Sequence, residues 1–215
     1  MRSNIVSLFL ITSLLLLQGC ETLYFNTMEK VGVHKRDILI DRIEDSQEAQ
    51  EEAKEQFTSA LDQLKQITQF DGGDLESLYN KLNDEYEDSE EAAEEIHLSI
   101  DKVESVADAL FAEWNSELKQ YTSQSLRSKS QSKLKSTQRR YKKLIVALRK
   151  AERSIQPVLN TLKDNTLYLK HNLNARAVAS LKGEFRAIDA DIKALIQQMQ
   201  KAISESDMFI EQLRG

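Results

Sequence analysis

Long stretches of this sequence repeat apolar residues at alternating intervals of four and three, and helix-breaking residues almost never fall inside them. Such a repeat places one apolar stripe along an α-helix and is typical of coiled-coil packing. The 215 residues include 6 Gly and 1 Pro, and 30% of them are charged, which favours long solvated helices over sheets. The pattern therefore predicts an all-α protein and excludes all-β and Rossmann-type domains.

Four segments carry the repeat, over residues 24–70, 75–121, 141–162 and 178–213. A polar, serine-rich stretch over residues 122–136 is predicted to separate the second segment from the third. Pro157 is predicted to kink or break the third segment, because proline removes a backbone hydrogen bond and clashes with the preceding turn. Trp114, Tyr121 and Tyr141 lie on the apolar stripes, so we expect them to pack in the core.

Turn residues mark where the segments end. Gly72 and Gly73 can supply the positive φ of a helix end, and Asp74 is predicted to cap the second helix. Asn174 is predicted to cap the fourth. In the first segment Ser46 and Gln50 interrupt the apolar stripe.

The lengths of the segments predict how they pack. A helix of 45 residues is about 70 Å long, and short connections place consecutive helices side by side. The prediction is an elongated antiparallel coiled coil, an up-down bundle of about four long helices. An extended coiled coil that completes its core only by oligomerising is the alternative.

The first twenty residues read as a targeting segment. Met1 and Arg2 precede a largely apolar run over residues 5–17, which is shorter than the roughly 20 apolar residues of a membrane span. The run ends at Leu17-Gln18-Gly19-Cys20, which resembles the bacterial lipobox, and Cys20 is the only cysteine of the chain. We therefore predict a signal peptide over residues 1–19, cleavage after Gly19 and acylation of Cys20.

The resemblance also implies a location. In Gram-negative lipoproteins of this kind, Asp after the acylated cysteine tends to cause retention in the inner membrane. Glu21 occupies that position here, which favours the outer membrane, facing the periplasm. The predicted domain organisation is a lipidated tether over residues 20–27 and one helical coiled-coil domain over residues 28–215.

Charge is distributed unevenly along the chain. Residues 41–117 contain 24 Asp and Glu against 5 Lys and Arg, whereas residues 118–153 contain 12 Lys and Arg against one Glu. The basic stretch predicts either contact with anionic lipid or cell wall, or neutralisation by the acidic first and second helices. Its candidate membrane- or partner-contact residues are Arg127, Lys129, Lys133, Lys135, Arg139 and Arg140. Nucleic-acid binding is disfavoured, because stacking aromatics are sparse in the stretch and a periplasmic lipoprotein meets no DNA.

Motifs for catalysis are sparse. Glu94 and His97 form one Glu-x-x-His, but a di-iron bundle site needs two such motifs and two further Glu. One Cys and 3 His leave little for a structural zinc site, and one Cys excludes an intramolecular disulfide. A mixed polar and aromatic group is interpreted either as a helix–helix turn or as a partner-contact site; it comprises Tyr168, His171, Asn172, Asn174 and Arg176.

Four stretches resemble one known family: residues 28–37, 70–75, 85–89 and 167–175. They are similar to an uncharacterised family of Gram-negative proteins, mostly lipoproteins, that contain a domain of unknown function. The resemblance implies one domain over nearly the whole mature chain and no assigned catalytic residue. Some members are labelled DNA-repair ATPases; the label is not transferred, because this chain has no G-x-x-x-x-G-K-[ST] loop and Asp74 would repel phosphate.

These observations predict a lipid-anchored, periplasm-facing structural or interaction module of the cell envelope, with no catalysis, cofactor, small-molecule substrate or nucleic-acid partner. The expected partners are the membrane, through the N-terminal lipid, and either an envelope protein or a second copy of the chain. The alternative is a helical bundle that handles lipid or binds the membrane surface. A metal-dependent helical-bundle enzyme is a remote third reading.

Overall fold

A computed structural model describes residues 32–215, which contain four long helices joined by short turns. The helices are α1 (Lys35–Thr68), α2 (Leu75–Glu117), α3 (Gln124–His171) and α4 (Ala175–Arg214). The predictions for residues 1–31, which include Gly19, Cys20 and Glu21, lie outside the described part of the chain.

The helices form an antiparallel ring in chain order. The pairs in close contact are α1 with α2, α2 with α3, α3 with α4, and α4 with α1. The all-α, up-down bundle predicted from the sequence is confirmed, and a single chain completes its own core. We call the end where α1 begins and α4 finishes the entry end, and the end with the turns at residues 69–74 and 172–174 the far end.

The predicted apolar stripes form the core. The largest fully buried side chains come mainly from the 4-3 positions of the first three helices: Phe57, Leu39, Ile43, Leu64, Ile67, Leu82, Ile96, Ile100, Leu144, Leu148 and Leu162, with Phe209 from α4. Burying a side chain of this size stabilises the fold by about 1.5–3 kcal/mol. The repeat in the sequence is therefore the contact surface of the bundle.

Both predicted caps are confirmed. The Asp74 side chain accepts a hydrogen bond from the backbone N–H of Ser77 at 3.0 Å. Asn174 accepts from the N–H groups of Arg176 at 3.0 Å and Ala177 at 3.1 Å. These side chains satisfy backbone donors that a helix start leaves unpaired.

Gly72 and Gly73 have φ of +147° and +115°, which are backbone conformations that L side chains rarely adopt. The predicted turn between the first two helices is therefore confirmed as well.

Three boundaries differ from the predictions. The first helix does not run from residue 24, because Gly32 has φ +88° and residues 32–34 are outside any helix. The serine-rich stretch separates two helices only at its start: α2 ends at Glu117, Ser123 caps α3, and helix continues through residues 124–136, since serine is only modestly less favourable than alanine in a helix. Tyr121 lies beyond the end of α2 and is 41% exposed, so it does not pack in the core.

Pro157 does not break the helix that contains it. Helix α3 continues on both sides of Pro157, from Gln124 to His171. Val158 and Leu159, which follow it directly, are buried, as is Ile155. Tertiary packing of these side chains offsets the backbone hydrogen bond that proline cannot form.

The interruption of the first stripe is a buried polar layer. Ser46 and Gln50 are fully buried on the same face of α1 as the apolar residues. The hydroxyl of Ser99 on α2 donates to Ser46 at 3.1 Å, whereas both amide atoms of Gln50 lack a hydrogen-bond partner within residues 32–215. An unpaired buried amide destabilises the fold, so Gln50 is a stability defect in the middle of the bundle.

The longest helices are not membrane spans. In the described part of the chain, no helix is both long enough and apolar enough to cross a bilayer.

Candidate functional site

All four helices contribute to one pocket at the entry end. It has a volume of about 520 Å³ and is lined by His34 and Arg36 before and on α1, Leu110 and Trp114 on α2, Lys133 and Thr137 on α3, and residues 212–215 at the end of α4. Antiparallel packing brings these positions together, although they are spread over almost the whole described sequence. We call it the entry-end pocket.

Three side-chain cations from three different helices line this pocket. The guanidinium of Arg214 pairs with Glu44 at 2.6 Å, and that of Arg36 pairs with Asp37 at 3.3 Å. Lys133 forms no ion pair with another residue of 32–215. Lys133 is therefore the one of these three cations without a carboxylate side-chain partner in residues 32–215, and the other two are in exposed ion pairs, which are weak; the terminal residue Gly215 also lines the pocket.

One part of the pocket wall is apolar. Leu110, Leu213 and half-buried Trp114 line it, and the indole N–H of Trp114 donates to the hydroxyl of Ser130 at 2.8 Å. The amide nitrogen of Gln212 donates to the hydroxyl of Thr137 at 3.3 Å, while its Oε1 is buried without a hydrogen-bond partner. The combination of an apolar wall with side-chain cations suits an amphiphilic anion.

Aromatic contacts link three helices at this end. The ring of Tyr141 on α3 packs edge-on against Phe111 of α2, with centroids 5.4 Å apart, and lies 6.1 Å from Phe209 of α4. Burial, together with the nearby carboxylates of Glu104 and Asp108, raises the pKa of Tyr141 above its ordinary value. Tyr141 and Trp114 are both partly buried and pack against the core rather than inside it, and Trp114 also lines the pocket.

The six basic residues predicted from the sequence lie on the first half of α3, nearest the entry end. All six are exposed: Arg127, Lys129, Lys133, Lys135, Arg139 and Arg140. None forms an ion pair with another described residue. Helix α3 lies beside α2 and α4 rather than beside α1, so the expectation that it neighbours both acidic helices is only half right.

Direct neutralisation of the basic stretch occurs at a residue that the sequence did not single out. The Arg149 guanidinium on α3 donates to Asp101 and Glu104 on α2, and to both oxygens of Glu152 at 3.1 Å. Partial burial lowers its pKa, but the three carboxylates raise it by more, so the net pKa is raised. Arg149 is therefore a permanent cation that joins α2 to α3.

His97 belongs to the same cluster. Its Nδ1 lies 2.6 Å from Glu152, and its Nε2 lies 3.5 Å from Asp101. The hydrogen bond with Glu152, with the charge of Asp101, raises the pKa of His97. His97 thus pairs across two helices. Within residues 32–215 no group of three His, Cys, Asp or Glu side chains is placed to hold a metal ion.

At the far end the structure brings together the second predicted group. The side chain of Asn172 donates to the carbonyl of Tyr168 at 2.9 Å, and Asn174 caps α4, so both amides stabilise the turn. Tyr168, His171 and Arg176 are exposed. Leu167 and Leu173, which the sequence analysis did not single out, are also large exposed hydrophobic residues and add an apolar surface to that of Tyr168.

The family assignment rests on the match of one family model to residues 24–213, described as a protein of unknown function (DUF2959). The chain belongs to the DUF2959 family. The match covers all four helices, and the predicted resemblance to a family of unknown function is confirmed over residues 24–213. No curated protein and no solved structure matches the DUF2959 chain.

Sequence reasoning missed His34, Arg36, Gln212 and Arg214 as neighbours of Lys133. These residues lie near the two ends of the described chain, and only the return of α4 to the start of α1 brings them together. An up-down topology with an even number of helices was the signal that could have found them, because it places both ends on one side of the bundle.

Proposed function

We propose that this protein is a lipid-anchored structural or interaction module of the cell envelope that acts without catalysis. In this proposal acylated Cys20 holds the protein on the periplasmic face of the outer membrane, and the bundle projects away from it. The leader, the lipobox-like residues 17–20 and Glu21 support the anchor and its location.

The observation that carries the proposal is the separation of the two ends of the bundle. The first described residues lie at the entry end, and the exposed residues Leu167, Tyr168 and Leu173 lie near the far end. Helix α2 alone has 43 residues and is about 65 Å long at 1.5 Å per residue. A tethered bundle would therefore present its far end to a partner some distance from the membrane.

Metabolic labelling with a palmitate analogue tests the anchor. We expect the native protein to be labelled, and Cys20→Ser to lose both the label and cleavage of residues 1–19. Label that persists in Cys20→Ser would refute the anchor. In an enteric-type host Glu21→Asp should move the protein to the inner membrane, and unchanged fractionation would refute the sorting role of Glu21.

Photo-crosslinking in cells tests the far end. A photoreactive amino acid replaces Tyr168, which is 41% exposed, and, as a matched control, Leu98 on the side of α2, which is 47% exposed. We expect a discrete crosslinked product at Tyr168, in the lipidated protein only, and none at Leu98. Equal products at both positions would contradict a partner-contact role for the far end.

The entry-end pocket favours a second candidate function, a bundle that binds the membrane surface or handles lipid. A Cys20→Ser form has no acyl anchor of its own, so lipid that copurifies with it must be bound by the protein. Copurified lipid in stoichiometric amount would favour this second function over a purely structural one.

A further inference from the structure

We propose that the entry-end pocket is a binding site for the phosphate-bearing headgroup of an anionic phospholipid. The inference rests on the proposed function in one respect: the anchor at Cys20 is what brings a lipid surface to this end of the bundle. It adds a specific site to that function, with Lys133 as its central cation.

The charges of the pocket fit a phosphate. Lys133 supplies an ammonium without an ion-pair partner within the described chain, and Arg36 and Arg214 supply guanidinium groups from α1 and α4. Arg214 is 60% and Arg36 is 56% exposed, and their partners Glu44 and Asp37 are also exposed. Exposed ion pairs contribute little, so both guanidinium groups can exchange a carboxylate for phosphate oxygens at small cost.

The remaining groups favour a lipid over free phosphate. Trp114, Leu110 and Leu213 form an apolar wall that free phosphate could not use, whereas the glycerol backbone and the first methylenes of a phospholipid could pack against it. The buried Oε1 of Gln212 accepts no hydrogen bond from residues 32–215. Because this oxygen is shielded from solvent, we assign it no contact with the headgroup.

The position of the pocket allows contact with the bilayer. Fourteen residues lead from Cys20 to His34 on the rim, and a chain of that length reaches at most about 50 Å. The exposed basic residues on the first half of α3 lie at the same end, and each basic side chain near an anionic surface strengthens binding. These residues would orient the bundle so that the pocket faces the headgroups.

Trp114 provides the assay, because it is the only tryptophan of the chain and lines the pocket. Native lipidated protein is incorporated into phosphatidylcholine vesicles that contain an increasing share of phosphatidylglycerol. The acyl anchor holds the protein on every vesicle, so a change in Trp114 emission reports the pocket rather than tethering. Bromine-labelled acyl chains, on one lipid at a time, show which lipid lies beside the indole.

We expect Trp114 emission to change as the share of phosphatidylglycerol rises. Bromine-labelled phosphatidylglycerol should quench this emission more strongly than bromine-labelled phosphatidylcholine does. Lys133→Gln should raise the share of phosphatidylglycerol needed for half of the effect about fivefold, and adding Arg36→Gln should raise it further. The matched control is Lys182→Gln, which removes an exposed charge from α4 near the far end and should change nothing. Circular dichroism melting of each variant checks that the bundle is intact.

Three results would overturn the proposal. The first is the absence of any change or quenching of Trp114 emission that depends on phosphatidylglycerol. The second is an equal loss of the emission response in Lys133→Gln and in Lys182→Gln. The third is an emission response to soluble glycerol 3-phosphate as large as that to phosphatidylglycerol, which would identify a site for free phosphate. Failure of the proposed anchor is distinguished by a separate result. If Cys20 is not acylated, the protein takes up no palmitate label in cells, but its Trp114 emission still responds to soluble short-chain phosphatidylglycerol.

Discussion

Replacing Arg149 by methionine should loosen the contact between α2 and α3. Methionine retains much of the aliphatic length of arginine but removes the guanidinium that binds Asp101, Glu104 and Glu152. The substitution leaves three carboxylates close together without their cation. It therefore tests whether a charge cluster, rather than the apolar stripes alone, stabilises this pair of helices.

The magnitude follows from the exposure of each partner. Asp101 is 49% and Glu104 is 39% exposed, so each pair contributes about 0.2–1 kcal/mol. Glu152 is less exposed and binds through both oxygens, which adds about 1 kcal/mol. A total loss of about 2 kcal/mol should lower Tm by about 4–8 °C for a domain of this size.

Thermal and urea unfolding followed by circular dichroism measure the effect. The matched control is Arg153→Met, the same change one turn further along α3 at an exposed residue. Raising the salt concentration should reduce the cost of Arg149→Met, because the exposed pairs are screened. Equal melting temperatures for the two variants at low salt would refute the account of this cluster.

Three further predictions concern pH, the buried amide and a cap. Because the pKa of His97 is raised in the fold, its pairing with Glu152 and Asp101 stabilises the protein fully below the unfolded pKa of about 6.5, and this stabilisation is lost as pH rises through the native pKa. His97→Gln should therefore abolish a fall in Tm between mildly acidic and alkaline pH. NMR titration of the Glu152→Gln variant should find a lower pKa for His97. Gln50→Leu should raise the free energy of unfolding by about 1 kcal/mol or more, because it removes an unpaired buried amide. The control Gln63→Leu removes a hydrogen bond to the carbonyl of Leu78 and should not raise the free energy of unfolding. If urea unfolding found Gln63→Leu to be the more stable variant, Gln50 would not be a stability defect. Asn174→Ala should cost about 1 kcal/mol, because two N–H groups at the start of α4 lose their acceptor, and an unchanged Tm would show that the cap contributes nothing.

Periodicity and turn chemistry were sufficient to predict the helices and most of the core. The sequence placed Phe57, Ile100 and Leu148 in the interior, because a 4-3 repeat has only one apolar face. It also identified Asp74 and Asn174 as helix caps, because a cap needs only a side-chain acceptor next to the helix start. Local rules failed where packing overrides them. Pro157 stays helical because the residues around it are buried against neighbouring helices, and Gln50 is buried because its stripe is buried. The serine-rich start of α3 is helical although most of it is exposed, because serine is only modestly less favourable than alanine in a helix.

The sequence by itself determined the fold class, the direction of each helix and the grouping of charges along the chain. Only the tertiary structure decided which charges meet: Arg149 contacts α2 carboxylates 45 and 48 positions away, while Lys133 has no such partner and lies beside Arg36 and Arg214 in the entry-end pocket. The physical reason is that a helical stripe fixes which face is buried but not which neighbour each flanking residue meets. That depends on the order of the helices around the ring and on their axial register, and both are set by packing over the whole bundle.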